Sequence, residues 1–248
     1  MPEDLVTAEG GAQLSQGMRV VDTFVAPSKT FADILRSSNC WLPIVIMVIL
    51  TMGWAYSIDR TVGFAAAAEV QIAKSPKQAD AMQQLPPDQR ASRMAITTTI
   101  TKYSTYASCV FVLIFMLIET LIMWASFNFG LGAQTKFGQV FAVVAFAGLP
   151  RNLIWVLSSI LLFAGVGTEN FDMRNPVGTN IGYYLNDSAQ WMKTTGQFFD
   201  LFGFWSLALM ILGLAIISRK KISQSATVVI GWWVLILLVV AGFSAAFS

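Results

Sequence analysis

Histidine is missing from all 248 residues of the chain. That absence excludes His-based acid–base catalysis, Ser–His and Cys–His nucleophile pairs, and most zinc sites. Cysteine is nearly as scarce: Cys40 and Cys109 alone make neither a metal cluster nor a disulfide framework. Charge is thin as well. Asp, Glu, Lys and Arg make up 12% of the residues, against about 25% in soluble domains. The net charge of +2 gives no basis for nucleic-acid binding. No catalytic centre, cofactor or metal ion is expected.

What is abundant is apolar: 55% of residues are hydrophobic, and the mean hydropathy is +0.62. An integral membrane protein follows, because about 20 apolar residues in helical form span a bilayer. Five such runs lie at about 41–58, 103–127, 138–164, 199–218 and 225–246. The expected class is an all-α membrane protein, a five-transmembrane-helix bundle. Residues 1–17 are small and polar and read as a disordered tail; 18–247 read as one membrane domain. The start lacks the basic residues of a signal peptide. Between the first two spans, residues 59–102 are polar and predict a helical extramembrane loop broken at Pro76 and Pro86-Pro87. Asn186-Asp187-Ser188 matches a glycosylation sequon, a short pattern that often arises by chance.

Before the first span, Val20, Val21, Phe24, Phe31, Ile34 and Leu35 are spaced for one helical face, interrupted at Pro27. Lys29, Asp33 and Arg36 fall on the opposing polar side. An amphipathic helix in this position lies in the membrane interface, with Phe31 and Leu35 on its apolar side. Its first partner is the lipid bilayer, and a protein partner docking on the same helix is the alternative.

The third span carries the unusual chemistry. Pro150 has no N–H, so the Phe146 carbonyl loses its helical partner and a kink is expected at Gly148–Pro150. Arg151 and Asn152 follow at once, and a central Arg costs roughly 2.5–3.5 kcal/mol on insertion scales. Glu119 in the second span and Asp200 at the start of the fourth are its candidate partners, giving an intramembrane polar network of Glu119, Arg151, Asn152 and Asp200. At about 1.5 Å per residue their depths are roughly 12, 20 and 27 Å for Glu119, Arg151 and Asp200, so Arg151 can reach toward either carboxylate. The network is either a fastener between helices or a polar site for a solute or headgroup. A snorkelling Arg151 is a third arrangement.

Orientation follows from basic residues in short loops. Lys136, Arg219, Lys220 and Lys221 sit in two short turns without an acid, on the same side as the N-terminus if there are five spans. That side is taken as cytoplasmic, with the C-terminus outside.

The chain also carries a set of ordered motifs. They are Phe24-x-x-Pro27-x-x-x-Phe31, Trp41-x-Pro43, Asn128-Phe129-Gly130 and Phe137-Gly138-Gln139. After these come Gly148-Leu149-Pro150, Asn175-Pro176, Thr179-Asn180, and a closing block from Phe199-Asp200 to Trp205. Together they resemble the Yip-one domain family of five-span membrane proteins, in its bacterial form, over roughly residues 18–247. The resemblance implies a cytosolic N-terminus, an external C-terminus, the bacterial cytoplasmic (inner) membrane and no catalytic centre. Eukaryotic relatives bind small GTPases of the Rab/Ypt type in vesicle trafficking, whereas the cytoplasmic region here is short and lacks an obvious GTPase-docking segment.

Two functions remain in view. One is a non-enzymatic membrane protein acting through protein partners or membrane organisation. The other is a small transporter, channel or lipid-handling protein built on the Glu119–Arg151–Asp200 region, since broken helices with charges can line cavities. An intramembrane enzyme would need a nucleophile and base without histidine.

Overall fold

In the computed structural model, which describes residues 13–185 and 188–247, most of the described residues are helical. Among the described residues the only β pairing is a single antiparallel bridge between Asn180 and Asp200. Asn186 and Asp187 of the sequon, and residues 1–12 of the expected tail, lie outside the described residues.

Two short helices come first. α1 (Gln16–Val25) starts at Ser15, whose hydroxyl accepts from the Met18 N–H at 3.2 Å. Helix therefore begins at Gln16, inside the expected tail of residues 1–17. α2 (Pro27–Ile34) follows after a break at Ala26, where φ is −150°. Pro27 explains both facts, since it disfavours helical backbone in the residue before it and suits the first turn of the helix it opens.

Among the described residues five helical segments are long and apolar enough to cross a membrane. α3 (Trp41–Thr61) is the first, with Pro43 in its opening turn. α4 (Phe64–Ala73), α5 (Pro76–Gln83) and α6 (Pro87–Tyr106) form the helical loop, with prolines opening α5 and α6. α7 (Ser108–Ala125) continues through one π-helical turn, Ser126–Gly130. The second span thus runs Ser108–Gly130 rather than 103–127, because the polar stretch Tyr103–Tyr106 still belongs to α6 and the helix breaks at Ala107.

The third span is α8 (Phe137–Ala147) followed by α9 (Leu149–Phe163), interrupted at Gly148 as the missing N–H of Pro150 requires. α10 (Gln190–Gln197) is short; α11 (Leu201–Ser218) and α12 (Ile222–Phe247) are the last two spans. Between them Arg219 adopts φ 55°, a left-handed helix end usually left to glycine.

The described residues gather in two compact units. One holds the chain up to Met47, Leu113–Arg151 and everything from Thr179 onward. Its core is Phe31 and Ile34 of α2, Val140, Val143 and Phe146 of α8, Leu214 of α11, and Phe127 of the π turn. The second unit holds Val48–Val112 and Asn152–Gly178. There Trp54, Ile58, Phe64, Leu162 and Phe171 are buried together, and Trp54 donates its indole N–H to Ser158 Oγ at 2.9 Å. Asp59 in that unit pairs with Lys102 at 3.0 Å and accepts from the Tyr106 hydroxyl at 3.3 Å. The hydrogen bond to Asp59 raises the Lys102 pKa above its ordinary value.

Candidate functional site

The most heavily built polar site is not in the third span but where α1 meets α2. Arg19 is fully buried, and its guanidinium bonds Asp33 Oδ2 at 2.7 Å through Nη2 and 2.8 Å through Nε. Nη1 donates to the Asn39 carbonyl at 2.8 Å, and Nη2 reaches the Asp33 carbonyl at 3.4 Å. The Arg19 carbonyl in turn accepts from Thr23 Oγ1 at 2.7 Å and Thr30 Oγ1 at 2.9 Å. Asp33 Oδ2 also takes the Leu14 N–H at 3.2 Å. A buried charge survives only when paired and hydrogen-bonded in this way.

The consequence is an inverted helix. α1 turns Arg19, Asp22 and Thr23 inward, while Met18, Val21 and Val25 are 50%, 53% and 73% exposed. A helix in water would do the reverse. α2 packs on α8 and α11 with Phe31 and Ile34 fully buried, and Phe24 stacks edge-on against Trp205 at 5.6 Å.

This corrects the sequence reading at particular residues. Asp33 is 5% exposed, not part of a polar outer side, because Arg19 holds it inside. Leu35, four residues after Phe31, closes α2 and is 39% exposed where Phe31 is fully buried. No sequence signal marked Arg19, since it looked like one more surface charge in a short amphipathic run.

Beside this cluster, the Cys40 thiol is buried just before α3. Burial pushes its pKa up, and the Arg19 charge offsets part of that.

The residues of the expected intramembrane network occupy different settings. Asp200 caps α11: Oδ1 accepts from the Gly203 N–H at 2.8 Å, and Oδ2 from the Thr179 hydroxyl. The Leu201 N–H bonds the Thr179 carbonyl at 3.1 Å, which closes the bridge at Asn180. Thr179-Asn180 and Asp200 therefore form one staple. Arg151 is exposed and Glu119 half-buried. Among the described residues no ion pair within 4.0 Å joins Arg151 to Glu119 or Asp200. Asn152 belongs to the second unit and is half-buried.

Two other motifs also hold turns. Asn128 Oδ1 accepts from the Thr135 N–H at 2.9 Å and from its hydroxyl at 3.0 Å, while Asn128 Nδ2 donates to the Thr135 carbonyl at 3.0 Å. Trp124 Nε1 donates to that same carbonyl at 3.0 Å, and Gln139 Oε1 accepts the Lys136 N–H at 3.0 Å to start α8.

The Yip1 domain family model matches residues 21–243, from the middle of α1 to near the end of α12. The chain belongs to the Yip1 domain family. It is an integral membrane protein of the all-α class, with five helices able to span the bilayer. No curated protein and no solved structure matched it. Within this Yip1 chain the ordered motifs have local jobs. Pro27 breaks the N-terminal pair, Phe31 fills the core, Asn128 ties the turn before α8, and Asp200 with Thr179 starts α11.

Proposed function

We propose that this Yip1-family protein is non-enzymatic and works through its N-terminal helix pair, as a platform for protein partners or for organising the membrane. One observation carries the reading: α1 buries Arg19, Asp22 and Thr23 and displays Met18, Val21 and Val25. An outward apolar stripe on a helix pinned from behind suits immersion at the headgroup boundary. The pinning comes from the Arg19–Asp33 pair and the seating of Phe31 and Ile34. The pair lies on the face of the membrane that carries Lys136, Arg219, Lys220 and Lys221, which we assign to the cytoplasm; the C-terminus is then external. The resemblance in residues 18–247 favours the bacterial inner membrane.

A photo-crosslinking residue at Val21 in intact cells tests this. Protein adducts mark a partner surface, and lipid adducts mark a membrane-organising one. Absence of both, in cells where a crosslinker at an outward position of α12 labels lipid, contradicts the proposal.

A second reading, a transporter or lipid-handling protein, keeps support from one feature. Arg151 is exposed directly after the break at Gly148, and no carboxylate neutralises it within 4.0 Å among the described residues. Transport assays with Arg151→Gln separate the two readings.

A further inference from the structure

α12 is the barest of the five spans, with Ile230, Val234, Leu235, Leu238 and Phe243 all exposed. Along its first half it borders an open groove of about 430 Å³. The walls come from Gly130 and Leu131 at the end of the π turn and from Val228, Gly231, Trp232 and Leu235 of α12, with Ser126 and Thr227 as the polar contributors. Trp232 is held as a wall by its N–H, which donates to Ser126 Oγ at 2.9 Å. The glycines make the depth: a Cβ added at Gly130 or Gly231 would meet no heavy atom within 4 Å.

We propose that this groove seats an acyl chain of one anionic phospholipid. Three features argue for that occupant. The groove from Thr227 to Leu235 is about 12 Å long at the helical rise, along a helix that has no charged side chain between Ile222 and Phe247. Its Thr227 end lies about 9 Å along the axis from Lys221, the depth of a headgroup region below the charge. At that end Arg219, Lys220 and Lys221 precede α12, and Lys136 closes the turn after Gly130, with no acid at 128–137 or 218–224. Basic residues near a membrane surface each favour anionic lipid several-fold. A neutral protein segment or a second copy would gain nothing from that cationic rim. The inference does not rest on the role proposed for α1 and α2.

The test is native mass spectrometry of the full-length protein incubated with phosphatidylglycerol or phosphatidylcholine of identical acyl chains. The protein should retain phosphatidylglycerol about tenfold better than phosphatidylcholine. Gly231→Leu fills open space in a helix and should keep the fold, checked by its unfolding temperature, while losing bound lipid of both kinds. Lys220→Gln with Lys221→Gln should reduce the preference several-fold and leave residual binding of both lipids. Equal retention of the two lipids by the unaltered protein overturns the proposal. So does unchanged lipid binding in a folded Gly231→Leu protein. Conversion of a dimer to a monomer by Gly231→Leu, with lipid retention intact, would assign the groove to a second copy instead.

Discussion

The Phe31 ring lies directly on the backbone of Gly213. A Cβ at position 213 would sit 2.9 Å from Phe31 Cδ1 and 2.6 Å from Val143 Cγ1. Glycine is what lets α2, α8 and α11 close on one point. Gly213→Ala should therefore cost about 1–3 kcal/mol by overpacking, and Phe31→Ala about 3–5 kcal/mol by cavity formation. Combining Gly213→Ala with Val143→Ala should recover part of the first loss. Additive losses in a denaturation cycle would contradict the contact.

The Arg19–Asp33 pair gives the second expectation. Asp33→Leu alone should cost about 3–5 kcal/mol, because it strands a buried guanidinium. Asp33→Leu with Arg19→Met should cost less than the sum of the single changes. A double-mutant cycle on detergent-solubilised protein measures this coupling, and a value below about 0.5 kcal/mol would make the pair incidental.

These two relationships show what the sequence could and could not convey. The five spans, the break at Pro27 and the kink at Gly148–Pro150 were legible because each depends on local composition or on a missing N–H. The buried Arg19–Asp33 pair was not. Periodicity separates two faces of a helix and is blind to which polar residues a neighbouring helix will cover, so Asp33 was read as outward. Nor could spacing reveal that both oxygens of Asp200 serve the start of α11, a job that depends on Thr179 folding back against it. Gly182 and Gly196 were missed likewise: a Cβ on either would collide with the other's backbone neighbourhood, at 2.3 Å from the Lys193 carbonyl and 2.6 Å from the Gly182 nitrogen.

Asp200 yields a third prediction. As a cap, Asp200→Ala should cost about 0.5–2 kcal/mol, and Asp200→Asn less. Its effect should couple to Thr179→Val and be independent of Arg151→Leu. Strong coupling to Arg151 would restore an ion-pair role for Asp200.

The Cys40 thiol provides a pH-dependent expectation. Burial raises its pKa, so the folded state holds the proton more tightly than the unfolded chain. That contribution to stability is complete below the unfolded thiol value and is lost as pH rises through the folded one. Alkylation of Cys40 in the folded protein should accordingly be slow at neutral pH and accelerate only above the range of a free thiol. Cys40→Ala should remove that phase; rapid labelling at neutral pH would contradict the burial.

The central claim is that α1 faces lipid with its apolar stripe and the protein with its charges. Spin labels placed singly at Met18, Val21, Thr23 and Val25, in a Cys40→Ala/Cys109→Ala background and in bilayers, test it most directly. The account predicts that labels at 18, 21 and 25 collide with oxygen dissolved in lipid more than with a water-soluble nickel reagent. The label at 23 should be immobilised and shielded from both. Preferential collision with nickel at 21 and 25 would place α1 in water and contradict the account.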